Sequence, residues 1–274
     1  MIPPVVAPDW LREHPGAVIA DVRWYLDGRS GAAAHAGGHI PGAVWVDVDA
    51  DLAAPPSRSR GRHPFPAPED FAAAMSRLGI GDDDAVIAYD DAGGLSAGRL
   101  VWMLRLLGVD AALLDGGLGA WGGRLSVDPV SPAPARFTAR PWPVGALVAM
   151  EEPAAQAADP AAPPVLDARA ADRYHGRVEP TDAPAGHIPG ALSAPLTGNL
   201  DDAARFLPPG VLAERYAALG VADAAGVTVY CGSGVSACHD LLAMERAGLG
   251  RGRLYVGSWS QYAFSGLPIA TPTP

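Results

Sequence analysis

The sequence predicts an α/β protein built from two copies of one domain, each a mainly parallel sheet flanked by helices. One reason is a repeat, because Gly-His-Ile-Pro-Gly-Ala occurs at residues 38–43 and again at 186–191, each time after a strand that ends in aspartate, at Asp21 and at Asp167. The other reason is the alternation of short apolar strands with helical stretches, which is typical of a sheet covered on both faces. The repeat has a period of about 140 residues, which is too long for the unit of a solenoid and indicates a duplicated domain.

The elements of the first copy follow in order along the chain. Apolar, β-branched runs predict strands at residues 17–22, 43–46, 85–89 and 111–114. Apolar residues at helical spacing predict helices at residues 68–78 and 96–107. The proline-rich run at 126–135 is typical of a linker, so we predict one domain over residues 1–125 and another over 136–274.

Composition and charge exclude several classes of function. The formal net charge is −10, which argues against a nucleic-acid partner because phosphate binding needs a basic surface. All basic residues apart from histidine are arginine, so neither Schiff-base chemistry nor a P-loop lysine is available. No apolar run is long enough to span a membrane, and residues 1–4 do not resemble a signal peptide. We therefore expect a cytoplasmic, monomeric protein with no membrane partner.

The second copy contains a segment typical of a reactive thiol. A β-branched strand at 227–230 ends in Cys231, a loop follows over residues 232–236, and a helical pattern begins near Cys238. Loop amides and the positive end of a helix dipole both stabilise a thiolate. Cys231 is therefore a candidate nucleophile, although a cysteine at a strand end is often a small core residue. Cys238 fits the helix core better than a redox role.

The loop after Cys231 has the composition of an anion-binding turn. Gly232 and Gly234 allow backbone amides to point at a common centre, and Ser233 and Ser236 add hydroxyl donors. The equivalent position in the first copy is Asp90. Because only one copy has the thiol, we predict a single active site, located beyond the carboxyl end of a parallel strand.

These motifs resemble the tandem-domain rhodanese family, and most closely its 3-mercaptopyruvate sulfurtransferases. The resemblance covers nearly the whole chain and includes Asp-Gly-Gly at 115–117 and Gly-Ser-Trp at 257–259. It implies a silent first domain and a second domain in which the Cys231 thiolate takes a sulfur atom from a donor. The resulting persulfide passes that sulfur to cyanide, a small thiol or thioredoxin, without a metal or an organic cofactor.

The resemblance also implies which residues bind the donor. Arg173 matches an arginine that binds the mercaptopyruvate carboxylate, and a guanidinium fork suits that task. A second arginine usually follows a Glu-Pro pair, but here Thr181 stands at that place and Arg177 is the candidate substitute. Loop residues complete the expected donor site: Gly232, Gly234, Val235 and Ser236. Because this loop has no cationic side chain, it favours 3-mercaptopyruvate over the thiosulfate dianion.

A proton relay is the least determined part of the site. Ser233 and His39 match the serine and histidine that related enzymes use, and Asp27 is the nearest candidate for the supporting acid. His39 could instead stabilise a turn, as its counterpart His187 must. The spacing of His35 and His39 also suits a metal pair, but no third ligand is near in sequence.

Three other functions stay open to test. A cysteine phosphatase is disfavoured because position 237, where it needs an oxyanion-binding arginine, is alanine. A sulfurtransferase that prefers thiosulfate is the main alternative. A non-catalytic binding scaffold is the third, and the retention of Cys231 with both loop glycines counts against it.

Overall fold

The computed structural model describes residues 1–271 and divides the chain into two compact units. Unit 1 comprises residues 1–54, 66–142 and 201–206, and unit 2 comprises 55–65, 143–200 and the chain from 207 onward. Each unit contains one five-stranded sheet, so the predicted duplicated α/β fold is confirmed. Neither unit is continuous in sequence, and the division of the chain at residues 126–135 stays a prediction.

Unit 1 is built on a parallel sheet with the strand order β1-β5-β4-β2-β3. Its strands are β1 (Val5–Val6), β2 (Val18–Asp21), β3 (Val44–Trp45), β4 (Ala85–Tyr89) and β5 (Asp110–Leu114). Its helices are α1 (Pro8–Glu13), α2 (Gly31–Gly37), α3 (Pro68–Arg77), α4 (Ala97–Leu106) and α5 (Gly117–Ala120). All six predicted elements are present, within one or two residues of their predicted ends. The short elements β1, α1, α2 and α5 were not predicted.

Unit 2 repeats this topology with the order β6-β10-β9-β7-β8, again parallel. Its strands are β6 (Leu147–Val148), β7 (Val165–Asp167), β8 (Leu192–Ser193), β9 (Thr228–Tyr230) and β10 (Arg253–Tyr255). Its helices are α6 (Glu152–Ala158), α7 (Ala171–Tyr174), α8 (Pro209–Ala218), α9 (Ala237–Arg246) and α10 (Ser258–Tyr262), with a 3₁₀ turn at Leu196–Asn199. No helix in residues 1–271 is both long and apolar enough to cross a membrane.

Local sequence explains how the longer helices begin and end. Pro68 and Pro209 occupy the first turns of α3 and α8, where the fixed φ of proline suits the helix and its missing N–H has no partner to lose. Gly79 and Gly220 follow the same two helices with φ of 73° and 80°, a conformation that glycine adopts without a steric penalty. The two copies therefore share their helix boundaries as well as their strands.

A buried polar network recurs beneath the two central strands. In unit 1 the Tyr89 hydroxyl donates to Asp21 Oδ2 over 2.9 Å and accepts the Ile40 amide over 3.1 Å. In unit 2 the hydroxyl of the equivalent Tyr230 accepts the Ile188 amide over 3.2 Å. These contacts fix the repeated His-Ile-Pro turns against the middle of each sheet, because a buried polar group needs a partner.

Candidate active site

Cys231 lies immediately after β9, the middle strand of the unit 2 sheet, and before α9. The carboxyl end of a central parallel strand is where ligands of such sheets bind, as predicted. Its backbone is held on both sides: the Cys231 amide donates to Ser258 Oγ over 3.1 Å, and its carbonyl accepts the Trp259 amide over 3.0 Å. The residue is only 1% exposed, so the protein fixes the thiol at the base of its loop.

The loop folds back over the sulfur. The Gly234 amide donates to Cys231 Sγ over 3.1 Å, so the loop presents a backbone donor directly to the sulfur. Gly234 has a φ of 75°, and a β-carbon there would lie 2.5 Å from the Val256 carbonyl oxygen. Only glycine meets both conditions without strain, which explains the second glycine of the loop.

Further donors of the loop have no protein acceptor. Within residues 1–271 the five other backbone amides of positions 232–237 make no hydrogen bond, and neither does the Ser233 hydroxyl. The Ser233 and Val235 side chains are buried, whereas Ser236 is half-buried at the position before α9 and makes no capping hydrogen bond. The loop can therefore donate to an anionic group that a ligand supplies.

Arg173 approaches the loop at Gly232. A β-carbon on Gly232 would lie 3.3 Å from Arg173 Nη1, so the first loop glycine leaves room for this guanidinium. Glu179 positions this arginine. Arg173 Nε donates to Glu179 Oε2 over 3.1 Å, and Arg173 Nη2 donates to Glu179 Oε1 over 2.6 Å. The structure thus brings Arg173 to the cysteine loop, as the sequence predicted.

Glu179 is a charged anchor for this side of the site. Burial by itself favours its neutral form, but hydrogen bonds from Arg173 and from the amides of Thr181 and Asp182 more than offset this and hold its pKa below the ordinary value. Glu179 is therefore ionised at neutral pH and keeps Arg173 in one orientation.

The sequence did not identify Arg62, which also lies at Gly232. Arg62 Nη2 would be 3.2 Å from a β-carbon on Gly232. Its Nε and Nη2 donate to the buried Asp182 over 3.1 Å and 3.0 Å, and its amide donates to Ser260 Oγ over 3.0 Å. The segment 55–65 that carries Arg62 belongs to unit 2, and its distance along the chain from Cys231 concealed this contact.

The other predicted arginine lies elsewhere. Arg177 is on the surface, with 66% of its side chain exposed, and pairs with Asp172 over 2.8 Å. The structure shows no contact between it and the cysteine loop among the residues described. Thr181 is exposed, and its amide donates to Glu179. A role for Arg177 in binding the donor stays a prediction, with no contact that supports it.

His39 lies in unit 1 and is 1% exposed. Its Nδ1 is 2.9 Å from the His35 carbonyl oxygen, its ring stacks on His35 at 4.0 Å, and its Nε2 has no partner in residues 1–271. His187 makes the same two contacts with Tyr174 in unit 2. Its Nδ1 is 2.9 Å from the Tyr174 carbonyl oxygen, and the two ring centroids are 3.8 Å apart. The shared contacts indicate a structural role for both histidines, while the unpaired Nε2 keeps a proton-transfer role for His39 as a prediction.

Asp27, the predicted supporting acid, makes no contact with His39 among the described residues, and its role stays a prediction. Asp27 is exposed and pairs with Arg29 over 2.9 Å. Asp21 Oδ2 lies 3.0 Å from Nδ1 of His35, the residue stacked on His39. Burial lowers the pKa of His35 even though Asp21 acts in the opposite direction. No group of three or more His, Cys, Asp or Glu side chains in the described chain could hold a metal ion.

The equivalent loop of unit 1 is filled by its own side chain. Asp90 follows β4, the middle strand of that sheet, and is 1% exposed. Its two carboxylate oxygens accept four backbone amides, at 2.8–3.0 Å: those of Ala92, Gly94, Ser96 and Ala97. This loop has the geometry of an anion site, but a carboxylate of the protein occupies it.

The second cysteine has a different environment from the first. Cys238 is fully buried within α9, and its Sγ donates to the Gly234 carbonyl oxygen over 3.5 Å. It packs in the core below the loop, which agrees with the expectation that it is not the nucleophile.

Comparison with known proteins agrees with this geometry. The family model of the rhodanese-like domain matches the chain twice, at residues 7–124 and 150–264. The chain is 42% identical over 257 residues to a probable 3-mercaptopyruvate sulfurtransferase from Pseudomonas aeruginosa, covering 91% of this chain and 90% of that protein. It is 39% identical over 249 residues to a putative thiosulfate sulfurtransferase from Mycobacterium tuberculosis, covering 89% and 87%.

A solved structure shows the same architecture. The crystal structure of SseA from Escherichia coli, described as a 3-mercaptopyruvate sulfotransferase, matches with a TM-score of 0.82 at 33% identity. The match covers 94% of this chain and 99% of that one. The fold of nearly the whole chain thus has a counterpart in a structure described as having the rhodanese fold.

Proposed function

This chain belongs to the rhodanese family and is a sulfurtransferase, and from that premise we propose that it moves a sulfur atom from 3-mercaptopyruvate to a thiol or cyanide acceptor through a persulfide on Cys231. The observation that carries this proposal is the Cys231 loop, in which Gly234 donates to the sulfur while five further amides of positions 232–237 have no acceptor within residues 1–271. These donors suit a thiolate nucleophile and the anions it reacts with.

The first half-reaction forms the persulfide. The Cys231 thiolate attacks the sulfur of 3-mercaptopyruvate, so a sulfur–sulfur bond forms as the carbon–sulfur bond breaks. The electron pair of the broken bond leaves on carbon as the enolate of pyruvate, which then takes up a proton. The loop amides stabilise the negative charge on sulfur, and Arg173 holds the donor's carboxylate beside Gly232.

The second half-reaction restores the enzyme. An acceptor thiolate, or cyanide, attacks the outer sulfur of the persulfide, and the Cys231 thiolate leaves. The acceptor becomes a persulfide, or thiocyanate when cyanide is used. No metal or redox cofactor enters this balance. Thioredoxin is a suitable protein acceptor because it presents an accessible thiol of low pKa.

The donor preference rests on the charge of the loop. Residues 232–236 contain no cationic side chain, so the loop itself offers only neutral donors, and the Arg173 guanidinium lies to one side at Gly232. This separation matches a donor with its transferable sulfur at one end and its carboxylate at the other. Thiosulfate, a compact dianion, gains less from it.

A thiosulfate-preferring enzyme is the second candidate, favoured by the similarity to the Mycobacterium tuberculosis protein. Catalytic efficiencies with the two donors, measured side by side with cyanide as acceptor, decide between them. We expect kcat/KM to be higher for 3-mercaptopyruvate. A higher value for thiosulfate would assign the alternative, and no thiocyanate from either donor would leave only a binding role for the fold.

A further inference from the structure

Residues 57–62 concentrate positive charge in an acidic chain. Their sequence is Ser-Arg-Ser-Arg-Gly-Arg, whereas the whole chain has a formal net charge of −10. Arg58 and Arg60 are exposed, and neither forms an ion pair within residues 1–271. Arg177, by contrast, is exposed but pairs with Asp172. This segment therefore presents two guanidinium groups to solvent with no carboxylate to neutralise them.

Backbone hydrogen bonds close the segment into a hairpin. The Ser57 amide donates to the Gly61 carbonyl oxygen over 3.1 Å, and the Gly61 amide donates to the Ser57 carbonyl oxygen over 2.8 Å. The Arg60 amide donates to the same Ser57 oxygen over 3.2 Å. Residues 57–61 thus form a closed turn, the arginine hairpin, with Arg58 and Arg60 at its tip.

The arginine hairpin is attached to the helix that holds Cys231. Gln261 in α10 donates from its Nε2 to the Ser59 carbonyl oxygen over 2.5 Å. A β-carbon on Gly61 would lie 2.6 Å from the Gly257 carbonyl oxygen, so the hairpin backbone packs directly on the residue before α10. The first turn of the same helix holds the Cys231 backbone. The two arginine charges therefore have a fixed position relative to the sulfur.

Aromatic and apolar side chains adjoin the two arginines. The Arg58 guanidinium carbon lies 5.2 Å from the centroid of the Phe264 ring, and 45% of Phe264 is exposed. Arg60 lines an open groove of about 520 Å³ together with Met150 and one carboxylate, Glu151, with which it forms no ion pair. Arginine and aromatic side chains are enriched where proteins bind one another. This surface therefore suits a polypeptide better than a small thiol.

We propose that the arginine hairpin is a docking surface for an acidic polypeptide whose cysteine accepts the sulfur atom from the Cys231 persulfide. This proposal rests on the proposed function. Acidic side chains around the acceptor cysteine lie against Arg58 and Arg60, and apolar ones lie against Phe264. Because the rest of the chain is acidic, the hairpin also orients such a partner, so that its thiol approaches the loop that bears the persulfide.

The test compares two peptide acceptors at an ionic strength of about 10 mM, where charges act over about 30 Å. Each peptide has one cysteine, flanked by glutamate residues in one peptide and by glutamine residues in the other. Pyruvate release from 3-mercaptopyruvate gives kcat/KM for each acceptor, and the quantity compared is the ratio of the glutamate value to the glutamine value. Added salt should lower this ratio in the wild type, because it screens the arginine charges.

The double variant Arg58→Gln with Arg60→Gln should lower the ratio by about 5- to 20-fold. Arg251→Glu is the control, because it changes the net charge equally, but residue 251 precedes β10 and lies at the opposite end of the unit 2 sheet from Cys231. Its ratio should stay within about twofold of the wild-type value. Loss of folding or chemistry lowers both values and leaves the ratio unchanged. An unchanged ratio in the double variant, or an equal fall in Arg251→Glu, would overturn the proposal.

Two small thiols test whether the partner is a polypeptide. The kcat/KM of mercaptosuccinate, a dianion, relative to that of neutral 2-mercaptoethanol should change by less than about twofold in the double variant. A change as large as that of the peptides would overturn the proposal and assign the hairpin to small anionic thiols. If the wild-type protein releases no pyruvate from 3-mercaptopyruvate with any acceptor, the proposed function fails instead, so the two failures are distinguishable.

Discussion

The loops that follow β4 and β9 occupy equivalent places in their sheets. The loop of unit 1 encloses a carboxylate of the protein, whereas the loop of unit 2 encloses a cysteine sulfur. In unit 1 the Asp90 carboxylate accepts four backbone amides. In unit 2 the Cys231 sulfur accepts one, from Gly234, and the five other amides of positions 232–237 have no acceptor within residues 1–271. The loop amides of unit 1 are therefore hydrogen-bonded to a side chain of the protein, while most of those of unit 2 can donate to a ligand.

The residues that follow the neighbouring strands β5 and β10 also differ between the two units. Gly117 has a φ of 55°, and a β-carbon there would lie 2.3 Å from the Asp90 carbonyl oxygen, so unit 1 needs glycine. Ser258 has a similar φ of 50°, but its hydroxyl accepts the Cys231 amide over 3.1 Å. Unit 2 thus places a strained residue beside the reactive sulfur, a pattern common at functional sites. A few substitutions distinguish a stable loop from a reactive one.

Removal of the thiol should have the largest effect. We expect Cys231→Ser to abolish transfer from either donor, because a serine hydroxyl does not ionise near neutral pH and forms no persulfide. Cys238→Ser is the matched control and should retain most activity. Thiocyanate formation measures both, and an active Cys231→Ser with an inactive Cys238→Ser would reverse the assignment of the nucleophile.

The paired histidines give the next test. If His39 transfers a proton during carbon–sulfur cleavage, His39→Ala should lower kcat for 3-mercaptopyruvate by roughly 10- to 1000-fold. Thiosulfate should be affected much less, because sulfite leaves without that proton. His187→Ala, with the same backbone contact in unit 2, is the control for a structural role. Equal losses with both donors, together with a lower Tm in both variants, would make His39 a turn residue only.

The filled loop predicts a change in stability. Asp90→Ala leaves four amides without an acceptor, which should lower the free energy of unfolding by about 2–4 kcal/mol. Asp83→Ala, which removes an exposed carboxylate from the same unit, should change it little. Urea unfolding followed by circular dichroism measures both. Equal effects would show that the Asp90 contacts contribute nothing specific.

A smaller effect should come from the helices after the two loops. Asp240 in α9 occupies the position of Arg99 in α4 and is fully buried, and its Oδ2 has no hydrogen-bond partner within residues 1–271. Burial raises the pKa of Asp240 to about 7, although Arg215 and Asn199 act to lower it. The folded protein therefore holds a proton that the unfolded chain releases above its ordinary pKa of 3.8.

The sign of the pH dependence follows from this proton. Stability contributed by Asp240 falls as the pH rises from about 4 to 7 and changes no further above that range. Asp240→Asn keeps the shape of the side chain without its charge and should raise Tm by a few degrees at pH 8, with a smaller gain at pH 5. A gain independent of pH would show that Asp240 is ionised, or neutral, at both values.

The sequence predicted the parts of the molecule that depend on local pattern. Strand β4, helices α3 and α4, and the position of Cys231 follow from apolar periodicity and glycine-marked turns, which act over a few residues. It also predicted Arg173, but through a family motif and not through geometry. The short strand β1 and helix α2 were not predicted because two apolar residues, or a run of alanine and glycine, carry too weak a local signal.

Contacts at long range along the chain could not be predicted in this way. Arg62 is separated from Gly232 by most of the chain, and nothing in its neighbours indicates the loop it meets. Asp27 was chosen for its nearness in sequence to His39, whereas the carboxylate that contacts the neighbouring His35 is that of Asp21. Burial and pairing of such side chains are properties of the fold, and no local pattern encodes them.

The assignment of segment 55–65 to unit 2 has a consequence for any attempt to shorten the chain. Residues 201–206, from the later copy, belong in turn to unit 1. Arg62 at Gly232 therefore comes from the earlier repeat and the cysteine from the later one. A C-terminal fragment that begins after residue 135 would contain the thiol but lack Arg62, and the buried Asp182 would lose its ion-pair partner.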